Sequence, residues 1–120
     1  MSTDQRATAA TPEDRRRAAR RQPTLGTVCL LEAGSDQPAK TALVWNISLG
    51  GVSILFHKPV EPGAWIGGEL TTMNHGAALS VKLRITHVMP LRTGDYFLGC
   101  QFEQPLTGDQ MQPFVAKASA

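Results

Sequence analysis

Two short patterns in the chain gather side chains suited to holding an anion. In Arg16-Arg17-Ala18-Ala19-Arg20, two guanidiniums stand four residues apart. Each offers a planar fork of donors, a flat face for stacking and a fixed positive charge. Arg15, Arg17 and Arg21 enlarge the cluster, and Arg17–Arg21 repeats the spacing of Arg16–Arg20, so two registers are open. The second pattern is Asn46-Ile47-Ser48-Leu49-Gly50-Gly51. In an extended chain Asn46 and Ser48 face one way and Ile47 and Leu49 the other. The Asn46 amide both donates and accepts. Gly50 and Gly51 are expected to turn with φ > 0 and to keep Cβ atoms away from an incoming group. Each pattern also has a plain counterpart: a solvated basic arm, and a polar strand end closed by an Asx-turn.

Nothing in the sequence argues for an enzyme. His57, His75 and His87 are isolated, without HExxH or another ligand spacing, and there is no GxSxG elbow and no phosphate-binding Walker loop. Cys29 and Cys100 form no CxxC pair and are expected to be two reduced, packed thiols. A resident metal or cofactor is not expected.

Charge is distributed unevenly. The chain carries a net +2, yet residues 1–23 hold six arginines against Asp4, Glu13 and Asp14, while residues 24–120 are net −1. The basic charge is thus a local device at the N-terminus, suited to an anionic partner.

The elements that must position these residues are short strands. With 120 residues, 42% of them hydrophobic and 18% charged, the chain suits one globular domain. Eleven glycines and eight prolines imply many turns. No apolar run approaches the roughly 20 residues of a membrane span, and the Arg-rich start is no secretory signal, so a cytoplasmic domain is expected. Residues 1–13 read as a disordered leader, 14–115 as the domain and 116–120 as a flexible tail. Asp14 to Arg21 has too little to bury for a stable helix, and Pro23 favours extended chain before it.

Strands are expected at Leu25–Glu32, Thr41–Trp45, Gly51–Phe56, Trp65–Met73, Leu79–Val88 and Tyr96–Phe102. Gly67 and Gly68 signal a bulge or a close backbone approach, and Asn74-His75-Gly76 a hairpin turn. A capping box at Thr107 and Gln110 points to a short C-terminal helix, which Pro113 interrupts. Six strands without a βαβ period predict an all-β fold, an antiparallel barrel or closed sandwich.

In this order and on this background, Arg16–Arg20 followed by Asn46, Ser48 and Gly51 resembles the signature of the PilZ domain family, RxxxR and then (D/N)xSxxG. The resemblance runs from about Asp14 to Val115. It implies a six-stranded antiparallel β-barrel with a flexible N-terminal arm, acting as a non-catalytic receptor for cyclic di-GMP. Arg16 and Arg20 would take guanine edges, base faces and phosphates. Asn46 and Ser48 would hydrogen-bond the other guanine, and Gly51 would permit close approach. Arg15, Arg17, Arg21, Gly50 and Arg84 are further candidate contacts, Arg15 as an extra cation that would let the site hold two stacked ligands. Any signal would pass to a separate protein partner, which the chain does not name.

Two other readings stay open. A PilZ-like adaptor in type IV pilus assembly or motility would bind no nucleotide, although such proteins typically lack one of the motifs intact here. A small-barrel nucleic-acid binder is opposed by the net acidic body and by only seven aromatics, so no DNA partner is expected.

Overall fold

A computed structural model describes residues 20–32, 38–73 and 76–116. Six strands dominate it: β1 (Thr27–Leu31), β2 (Lys40–Ile47), β3 (Gly51–Phe56), β4 (Trp65–Thr72), β5 (Ala77–Pro90) and β6 (Tyr96–Phe102). All pairings are antiparallel, and the order β1-β2-β3-β6-β5-β4 closes on itself as a barrel. Closure leaves no free sheet edge around the ring and turns every second side chain inward. Val52, Ile54 and Phe56 of β3, Leu83 and Ile85 of β5, and Leu98, Cys100 and Phe102 of β6 form the buried interior, as their alternation requires.

The Gly67-Gly68 pair marks close approach and not a bulge. β4 pairs without register shift on both sides, and a Cβ on Gly68 would lie 3.1 Å from the Leu30 carbonyl oxygen. Asn74 and His75 of the expected turn lie outside the described residues, while Gly76 beside them has a φ of +64°.

The C-terminal helix α1 (Gly108–Met111) carries the expected capping box, with Thr107 Oγ1 accepting from Gln110 N–H and Gln110 Oε1 accepting from Thr107 N–H. A single 3₁₀ turn over Gln112–Phe114 accommodates Pro113, and Met111, Phe114 and Val115 join the barrel core.

Two interruptions matter for the site. The β2–β3 register shifts between Val44 and Asn46, and the β5–β6 register between Ile85 and His87. The first is a bulge at Trp45. Val44 is buried, Trp45 exposed, Asn46 half-buried and Ile47 buried again. Strict alternation would have sent Asn46 into the barrel and Ile47 into water. The extra residue reverses that phase.

Candidate functional site

The residues between Ile47 and Gly51 fold into a tight corner linking β2 to β3. Ser48 N–H donates to the Gly51 carbonyl at 2.8 Å, and Ser48 Oγ accepts from Gly51 N–H at 3.2 Å. The hydroxyl also lies 3.3 Å from the Gly51 carbonyl oxygen and donates to it. Ser48 is buried, whereas Asn46 is half-buried. The Ser48 side chain is engaged in the corner itself.

The glycines also differ from expectation. Positive φ occurs at Gly26, Gly63, Gly76 and Gly94, and not at Gly50 or Gly51. A Cβ on Gly51 would collide with the backbone carbonyl oxygen of Cys100 on β6, so glycine there is demanded by strand contact. A Cβ on Gly50 would meet open space. The corner is pinned from outside by Phe102 N–H to the Gly50 carbonyl (2.9 Å) and Leu106 N–H to the Leu49 carbonyl (2.8 Å).

The root of the arm lies alongside this corner. Arg21 and Ile47 exchange both backbone hydrogen bonds, at 2.8 and 3.0 Å, and Pro23 bridges Val115. Paired antiparallel residues share a face, so Arg21 follows Ile47 toward the interior. Its guanidinium donates to the Ala116 carbonyl at 3.0 Å. Arg20 and Gln22 therefore stand on the outer face and are exposed, next to Ser48 and Asn46 in the continued register. The extended chain expected before Pro23 is present here. Arg15, Arg16 and Arg17 lie outside the described residues.

Asn46 is the polar centre of this ledge. Its Oδ1 is buried and accepts no hydrogen bond among the described residues, a state that costs roughly 1–3 kcal/mol until a donor arrives. The two cysteines are free and buried in the barrel. Burial pushes Cys29 and Cys100 from 9.0 to about 12. For Cys100 burial is the main cause, the neighbouring Cys29 adds to the rise and the Arg20 charge opposes it.

Arg84 occupies the same cross-strand row as Gly51, through Gln101, about 10 Å away at two strand spacings. It lies within cation–π range of Trp65, the next residue in the row away from Gly51, with Cζ 5.9 Å from the ring centroid. His57 and His87 are exposed, and among the described residues no group of three or more metal-binding side chains forms. No described helix is long and apolar enough to cross a membrane.

The PilZ domain family model matches residues 14–117. The chain belongs to the PilZ domain family. Its barrel resembles MrkH of K. pneumonia, solved as a complex with c-di-GMP, with a TM-score of 0.61 and 20% identity over 82% of this chain and 48% of that one. It also resembles the PilZ domain of YcgR from Escherichia coli, solved with c-di-GMP, with a TM-score of 0.58 and 16% identity over 82% and 84% of the two chains. The Bacillus subtilis inhibitor of motility MotI/DgrA aligns with a TM-score of 0.60 and 12% identity over 86% of this chain and 52% of that one. The chain thus spans about half the length of MrkH and of MotI/DgrA. A comparison with curated protein sequences finds no match.

Proposed function

We propose that this PilZ domain is a non-catalytic, cytoplasmic receptor for cyclic di-GMP, with the ligand seated on the ledge between Asn46 and Gly51 beneath the arginine arm. The observation that carries the reading is the buried, unpartnered Asn46 Oδ1 beside the outward-facing Arg20. A guanine edge supplies the N–H donors that this oxygen lacks, and an arginine fork reads guanine O6 and N7. Complexes of MrkH and YcgR with c-di-GMP support the choice of ligand.

Arg16 and Arg20 are assigned to the ligand, with Arg15 and Arg17 as further cations of the arm. Arg20 is preferred over Arg21, whose guanidinium is engaged with Ala116. Gly50, open above, admits the approaching base, while Gly51 and Ser48 hold the corner in shape. Arg84 is a secondary contact that must leave Trp65 to serve.

A bidentate arginine–guanine contact contributes roughly 1–3 kcal/mol and stacking about as much, against roughly 1–2 kcal/mol for each arm residue fixed. These opposing contributions are of similar size; the affinity expected for the whole site is about micromolar, near −8 kcal/mol. The arm closes over the ligand, and the covered surface passes the signal to a separate protein.

Titration with cyclic di-GMP, GTP and single-stranded DNA tests this. Selective saturation by cyclic di-GMP is expected. Binding to none of the three points instead to an adaptor, and salt-steep binding to DNA to a nucleic-acid module. Saturation at one ligand per chain removes the two-ligand arrangement suggested by Arg15.

A further inference from the structure

We propose that Trp45 is the stacking platform of this site, its indole covering the face of the guanine whose edge Asn46 holds. The inference rests on the receptor reading above and adds a residue that lies outside both sequence motifs. The bulge carries it. The register moves from Val44 opposite Ile54 to Asn46 opposite Ser53, so Trp45 and Asn46 both face the single small residue Ser53. Trp45 would point outward with or without the bulge. What the extra residue changes is Asn46, which it brings out of the interior and onto the face that Trp45 occupies.

The result is a large π-face next to a buried carboxamide oxygen that lacks a donor. A purine with N–H donors on one edge satisfies both groups at once, whereas a phosphate or a peptide carboxylate satisfies neither. Trp45 is also available. It is 58% exposed, and among the described residues no ring or cation contact involves it. The other tryptophan contrasts with it, since Lys82 and Arg84 lie 5.6 and 5.9 Å from the Trp65 ring. Leu43, two residues earlier on the same outer face, is 59% exposed and widens the apolar floor.

Stacking of a base on an aromatic side chain is worth about tenfold or more in affinity. The chain has only two tryptophans, so Trp65→Phe leaves Trp45 as the sole indole reporter. Cyclic di-GMP is titrated into the full chain, into Trp65→Phe, and into Trp45→Ala and Trp45→Phe. The expected results are a saturable change in Trp45 emission, about tenfold weaker calorimetric affinity for Trp45→Ala, and most of the affinity kept by Trp45→Phe. Unchanged emission in Trp65→Phe, or wild-type affinity in Trp45→Ala, overturns the stacking role and leaves the receptor reading standing. No binding by the unsubstituted chain overturns that reading and the stacking role with it.

Discussion

Arg20 and Arg21 are neighbours in sequence with opposite placements. Arg21 pairs its backbone with Ile47 and spends its guanidinium on Ala116, while Arg20 faces outward beside the corner. Arg20→Ala should therefore weaken cyclic di-GMP binding at least tenfold by calorimetry, the cost of one guanine contact at roughly 1–3 kcal/mol. Arg21→Ala should chiefly lower stability, by about 1 kcal/mol of lost hydrogen bonding, seen as a lower melting temperature. If the two variants exchange phenotypes, the Arg17–Arg21 register is the functional one. The sequence displays both spacings equally, and the pairing of Arg21 with Ile47 is what favours the first. Ser48 was likewise legible as a polar residue of the motif but not as a staple, because its bonds to Gly51 arise from a fold-back that alternation does not express.

The strands were readable because their side chains alternate. Val52, Ile54 and Phe56 of β3, Leu83 and Ile85 of β5, and Leu98, Cys100 and Phe102 of β6 are buried in step, while Leu79, Val81 and Tyr96 at the outer ends of the same rows are half-buried. Bulges were not readable. Val44-Trp45-Asn46-Ile47 fits unbroken alternation as well as a phase reversal, and the choice depends on pairing with Ile54 and Ser53 across the sheet. The two glycines of the corner show the same limit, since their type was visible but their reasons come from tertiary contact. Gly51→Ala must push against the Cys100 backbone and should destabilise the barrel by roughly 1–3 kcal/mol or more in denaturant unfolding. Gly50→Ala faces open space, so its stability should stay near wild type while ligand affinity falls. Equal stability of the two variants contradicts this division.

At the scale of the whole molecule, a net acidic body carries a basic arm, and a thiol pair lies sealed in the barrel. Both thiols have pKa values raised by burial from 9.0 to about 12, so folding favours their protonated forms. Their contribution to stability is complete below pH 9 and is lost as pH rises from about 9 toward about 12. A thiol reagent at pH 8 should label neither cysteine until the chain is unfolded, and rapid labelling of the native protein contradicts the packing. If the basic arm engages a doubly charged ligand as proposed, binding should weaken as salt is added. The most direct test of the receptor account is calorimetric titration of cyclic di-GMP into the full chain and into Arg20→Ala. Saturable binding of about micromolar strength that drops tenfold or more in the variant is the predicted result. No heat of binding in the full chain, or equal affinity in the two proteins, contradicts it.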